Sequence, residues 1–168
     1  MKTERLTTMA ILTALAMTLS WLERMLPLEL LIPLPGIRLG LANTVSLYAL
    51  FCMDFSAAAL ILTARCLLGA LFSGNAMALA FSLCGGMLSL TVMALAMKSR
   101  HLSVYGVSVL GAAAHNVGQI VTAMMLIHSV YVVSYLPYLL LIGIACGCAT
   151  ATVAAGVLRA VGKRHSKG

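Results

Sequence analysis

Six long apolar stretches, at about Leu6 to Leu22, Ile37 to Met53, Phe55 to Phe72, Ala76 to Met97, Val104 to Ile127 and Tyr135 to Leu158, occupy most of the 168 residues. Each approaches the roughly 20 residues that a helix needs to cross a bilayer. Lipid offers no partners to backbone N–H and C=O groups, so a spanning segment must satisfy them within a helix or a closed barrel. These stretches are too long and alternate too weakly for barrel strands, so helices are expected. The expected fold is all-α, an integral membrane bundle of six transmembrane helices forming one domain over residues 1–168. Composition agrees: 62% of residues are hydrophobic and 9% charged, against about a quarter charged in a soluble chain. No stretch remains for a soluble catalytic domain. Asp54 alone separates the second and third helices.

The net charge of +7 would in a soluble protein suggest a nucleic-acid partner. Here the basic residues sit in short clusters between apolar runs, without aromatic interleaving, so no nucleic-acid partner is expected. With both termini in the cytoplasm, Lys2, Arg5, Lys98, Arg100, Arg159, Lys163, Arg164 and Lys167 fall inside, and Arg24 and Arg38 outside. That asymmetry predicts a multi-pass protein of the cell membrane, N-in and C-in. The first stretch has the outline of a secretory signal around Ala14-Leu15-Ala16, but its apolar run continues to Trp21 and Leu22. That length suits a span, with Trp21 as an interfacial anchor. The segment Glu23 to Gly36, with Pro27, Pro33 and Pro35, becomes a stiff external cap. Cys52, Cys66, Cys84, Cys146 and Cys148 lie in apolar runs without a CxxC pair and read as packing residues.

Polar residues inside a membrane are expensive and therefore informative. Arg65 lies about ten residues into the third stretch, roughly 15 Å from the inner boundary. Centring an arginine there costs about 2.5–3.5 kcal/mol, which calls for a partner, water or an anionic ligand. The glutamates read as tail or loop residues, so no acid is expected at its depth. In the fifth stretch Ser108, Gly111, His115, Gln119 and Thr122 follow helical spacing and form a polar, small-residue stripe, with Asn116 beside it. These groups serve either as interhelical hydrogen-bonders or as ligand contacts. With Asn43 and Arg65 they define a polar level beneath the external cap, a candidate substrate pocket. Arg38 faces either this level or headgroup phosphate. Thr7, Ala10, Ala14 and Thr18 form a small-residue ridge on the first helix, suited to packing within the chain or against another subunit. A similar row, Ser82, Gly85, Gly86 and Ser89, suits internal packing.

Several chemistries are excluded by counting groups. Asp54 is the lone aspartate and Glu4, Glu23 and Glu29 are the only glutamates, so no carboxylate pair serves for Mg2+ or acid/base work. No catalytic residues, metal or cofactor are expected. The chain lacks a GxxxxGK[ST] loop, so active transport would draw energy from a separate ATPase.

The segment Pro35-Gly-Ile-Arg-Leu-Gly-Leu-Ala-Asn-Thr-Val-Ser-Leu-Tyr48 resembles the signature of the Gx transporter family, catalogued as heptaprenyl diphosphate synthase component I. Arg65-Cys-Leu-Leu-Gly-Ala-Leu-Phe-Ser-Gly-Asn75, Phe81-Ser-Leu-Cys-Gly-Gly86 and Gly106-Val-Ser-Val-Leu-Gly-Ala-Ala-Ala-His-Asn-Val-Gly-Gln119 match it further. That family is similar to the substrate-binding S components of energy-coupling factor (ECF) transporters. The resemblance implies a small-molecule substrate held by Asn43, Arg65, His115, Asn116 and Gln119. It also implies that Ala10 and Ala14 dock a transmembrane T subunit, which acts with ATPase subunits. The catalogued name implies the alternative, an accessory component of polyprenyl diphosphate synthesis.

Overall fold

A computed structural model describes residues 2–25, 40–99 and 101–165. The described residues form six α-helices and no strand: α1 (Lys2–Arg24), α2 (Asn43–Cys52), α3 (Phe55–Ser73), α4 (Ala76–Ala96), α5 (Val104–Ile127) and α6 (Leu136–His165). A 3-10 helix at Val130–Tyr135 leads into α6. All but α2 are long and apolar enough to cross a membrane. The chain is thus a multi-pass helical membrane protein.

Local chemistry explains most boundaries. Asp54, Asn75 and Ser103 each accept a hydrogen bond from the backbone N–H three residues on, capping α3, α4 and α5. Gly74, at φ +61°, closes α3 with its N–H on the Ala70 carbonyl. Pro137 sits in the first turn of α6, where a missing N–H costs nothing. The second helix differs from expectation. It begins at Asn43, not Ile37, because Gly40 takes φ +82°, which a helix cannot continue through. Its ten residues rise about 15 Å, half a bilayer. The expected external cap, with Glu29, Pro27, Pro33, Pro35 and Arg38, lies otherwise outside the described residues, but its first members do not belong to a loop: Glu23 and Arg24 are the last residues of α1.

Helix α5 is the axis of the bundle, packed between α4 and α6, while α1 lies at the edge against α3. Burial follows: 56% of the apolar window of α5 is buried and 17% of that of α1. Glycines set the spacing. A Cβ on Gly118 would come within 2.8 Å of the Gly85 Cα, and one on Gly147 within 2.8 Å of the Val109 Cα, so backbones touch at both crossings. The row Ser82, Gly85, Gly86 and Ser89 is buried, as its spacing suggested.

Two apolar clusters result. One joins α1, α2, α3 and α4 through Leu12, Leu47, Ile61, Leu62, Leu90 and Met93. The other joins α4, α5 and α6 through Phe81, Ile120, Ala123 and Leu139. At the end nearer the first cluster, Arg5 forms an ion pair with Asp54, tying the start of α1 to the α2–α3 turn. The Ser56 hydroxyl, the Ala57 N–H and Arg5 hold the Asp54 carboxyl down at about 2.

Candidate functional site

Between the two apolar clusters lies a polar level. The α5 stripe is inward-facing throughout: Ser108, Gly111, His115, Gln119 and Thr122 are all buried. Its two ends are satisfied locally. Ser108 shares a 2.7 Å hydrogen bond with Thr150 of α6, and the Thr122 hydroxyl donates to the Gly118 carbonyl at 2.8 Å. The middle is different. Gln119 is wholly buried, and neither its amide oxygen nor its amide nitrogen has a hydrogen-bond partner among the described residues. The same holds for Asn43 Oδ1, Ser46 Oγ, Ser82 Oγ and Asn116 Oδ1. An unmet buried polar group costs about 1–3 kcal/mol, so several together mark a place where water or a ligand belongs.

The residues converge through close approaches of glycine. Gly40 brings the chain against both Asn43 and His115: a Cβ there would lie 3.0 Å from Asn43 Nδ2 and 3.3 Å from His115 Cδ2. A Cβ on Gly85 would meet the His115 ring at 3.2 Å and Gln119 Cγ at 3.1 Å. Asn43 donates from Nδ2 to Ser89 Oγ at 3.3 Å, joining α2 to α4. Asn43, His115 and Gln119 thus share one site. The positive φ at Gly40 is what lets the chain enter α2 there.

Glu23 belongs to this end of the molecule and was not anticipated. It is 3% exposed, and its Oε1 accepts from the Gly40 N–H at 2.6 Å. It reads in sequence as the first residue of an external loop, because an acid after an apolar run usually marks the water boundary. Its burial depends on a partner 17 residues away.

Asn116 and Arg65 have partners on other helices. Asn116 Nδ2 donates to the Leu139 carbonyl at 2.5 Å, and Gly143 leaves the room its amide fills, so it joins α5 to α6. Arg65 of α3 is 6% exposed and donates from Nη1 to Ser20 of α1 at 3.3 Å. It lines a cavity of about 400 Å³ between these two helices, with Ser20, Trp21, Gly69 and Phe72 on its walls. The glycine contacts bring Asn43, His115 and Gln119 together, while Asn116 and Arg65 make hydrogen bonds to α6 and α1; periodicity identifies a helix face but not the neighbour it meets. Arg65 lies ten residues beyond the start of α3 at Phe55, as counting suggested. Its partner Ser20 lies only three residues before Glu23, roughly 4.5 Å along α1. An acid is thus within a turn of Arg65's partner.

The α1 ridge faces away from the bundle. Thr7, Ala10, Ala14 and Thr18 are all exposed, while Leu12, Ala16, Ser20 and Glu23 point inward. Thr7 and Thr18 return their hydroxyls to the carbonyls of Thr3 and Ala14. The ridge therefore presents small surfaces with no unmet hydroxyl.

These features define a polytopic membrane protein with a buried polar level and a smooth, outward-facing small-residue helix face. The model of the family described as heptaprenyl diphosphate synthase component I matches residues 12–157, and the chain belongs to that family. No curated protein and no solved structure matches the chain.

Proposed function

We propose that this chain is the substrate-binding membrane subunit, the S component, of an ECF-type importer for a small molecule, and that it is not itself an enzyme. The observation that carries this reading is the pairing of a buried polar level, several of whose atoms lack partners among the described residues, with an α1 ridge of exposed Ala10 and Ala14. A binding subunit needs both, an internal site for its cargo and a flat face for its motor. In this reading the protein lies in the cell membrane with the Asp54 end and both termini cytoplasmic. Substrate enters from the Glu23 end. Asn43 and Gln119 supply amide hydrogen bonds, His115 forms a wall, and Asn116 holds α6 against the site. Arg65, given a substrate role by resemblance, donates to Ser20 of α1 and lines the cavity treated separately below. The chain has no phosphate loop, so ATPase subunits drive release through a T subunit seated on Ala10 and Ala14.

Coexpression with an ECF ATPase and T subunit tests this directly. The tagged chain is expected to bring both through purification, and the double variant Ala10→Leu, Ala14→Leu to lose them, since two isobutyl groups hold the backbones apart.

The family's description favours a second reading, an accessory component of heptaprenyl diphosphate synthesis. A single aspartate leaves this chain without the paired carboxylates that would hold Mg2+ and diphosphate, so it would serve a separate catalytic subunit. Prenyl product formed only when the chain accompanies that subunit, with no ECF complex, would favour the accessory role.

A further inference from the structure

The cavity between α1 and α3 has the form of a site open to the lipid phase. Its floor is Arg65, more than nine-tenths buried, with Nη1 on Ser20 and a buried Nε that has no partner among the described residues. The hydrogen-bond partner described for it is a neutral hydroxyl. Its rim is Trp21 and Phe72, both exposed on helices long and apolar enough to face hydrocarbon. Cavity, cation and apolar rim together lie near the Glu23 end of α1, where a tryptophan marks the interfacial zone.

We propose that this cavity binds the phosphate headgroup of an anionic membrane lipid, which enters laterally between α1 and α3. The charge requires a counter-ion, and a buried guanidinium left with one neutral hydroxyl is costly in a low-dielectric setting. A phosphate diester accepts from Nε and Nη2 in parallel, the geometry for which a guanidinium is suited, and leaves Nη1 on Ser20. The acyl chains then run from Arg65 toward the bilayer centre, on the Asp54 side, past the exposed Leu15 of α1, while Trp21 and Phe72 flank the headgroup with an apolar wall on its outer side. A water-soluble anion has no use for that apolar wall. The cavity volume of about 400 Å³ accommodates a headgroup and leaves the chains outside. The site is distinct from the Asn43, His115 and Gln119 level and does not depend on the transport reading.

The test is native mass spectrometry of the delipidated full chain in neutral detergent, titrated with dioleoyl phosphatidylglycerol, dioleoyl phosphatidylcholine or inorganic phosphate. One phosphatidylglycerol is expected to bind at least about tenfold tighter than phosphatidylcholine, the equivalent of one charge-assisted hydrogen bond. Arg65→Ala is expected to abolish that preference, and Phe72→Ala to weaken both lipids while keeping it. Phe72 is exposed, so its variant stays informative if Arg65→Ala fails to fold. Equal binding of the two lipids by the unmodified chain, an undiminished preference in Arg65→Ala, or full affinity for both lipids in Phe72→Ala overturns the proposal. Displacement of the lipid by millimolar inorganic phosphate would also overturn it, by showing a site for a soluble anion.

Discussion

Replacing Gln119 by methionine separates a binding role from a packing role. The side chain is wholly buried, and both of its amide atoms are unpartnered among the described residues. Leaving such an atom unmet costs about 1–3 kcal/mol, whereas removing the polar group in favour of an apolar one of similar shape is neutral or stabilising. Methionine keeps the length and flexibility of glutamine, so no cavity opens. The empty Gln119→Met protein is therefore expected to be more stable by about 1–3 kcal/mol, relieving the cost of one to two amide atoms. For a chain of this size that corresponds to a midpoint raised by roughly 2–12 °C. Thermal unfolding followed by circular dichroism in one detergent measures it, with native mass spectrometry recording whether a small molecule retained by the unmodified protein is lost. A midpoint lowered by a degree or more would refute the reasoning. It would show that Gln119 is satisfied in the resting protein, by ordered water or by the chain itself, and that the polar level is structural.

The other expectations concern the frame around that site. Gly118→Ala pushes a Cβ to 2.8 Å from the Gly85 Cα, and backbone cannot yield cheaply, so a loss of about 1–3 kcal/mol is expected in the same melt. Gly156→Ala, with nothing within 4 Å of its Cβ, leaves the midpoint unchanged or slightly raised. Gly40→Ala meets both a φ of +82° and the Asn43 amide, so it is expected to lower stability by at least about 1 kcal/mol and to displace His115, visible as a shifted imidazole resonance. The Asp54 carboxyl is held at about 2, below its ordinary value near 4. Its contribution is therefore full above pH ~4 and lost as pH falls towards 2. Melts between pH 7 and 2 should show that acid limb, and Asp54→Asn should diminish it.

Much of the fold was legible because its signals are local. Asp54, Asn75 and Ser103 announce the starts of α3, α4 and α5 by residue type, and the apolar runs between them have the length of a bilayer. The start of α2 was not legible, since a glycine in sequence does not declare a left-handed backbone and Gly40 takes one. The α5 stripe was readable by period, and every member is buried. Its partner was not, because which helix meets which face is decided by long-range packing through Gly85, Gly118 and Gly143. Glu23 and Arg65 illustrate the same limit. Glu23 was read as a loop residue, yet it is buried with the Gly40 N–H on its carboxylate, and the Ser20 partner of Arg65 lies on another helix that counting along α3 does not reveal. The ridge of Ala10 and Ala14 had two readings on spacing alone, and its exposure shows that it does not pack within the bundle.

The most direct measurement of the central claim is the composition of the complex that the tagged chain draws from a membrane containing coexpressed ECF ATPase and T subunits. The transport reading requires a stoichiometric assembly that survives size exclusion and disappears with Ala10→Leu, Ala14→Leu, while the variant subunit itself remains folded. A chain that elutes alone under those conditions, or one whose assembly is indifferent to both substitutions, would contradict it.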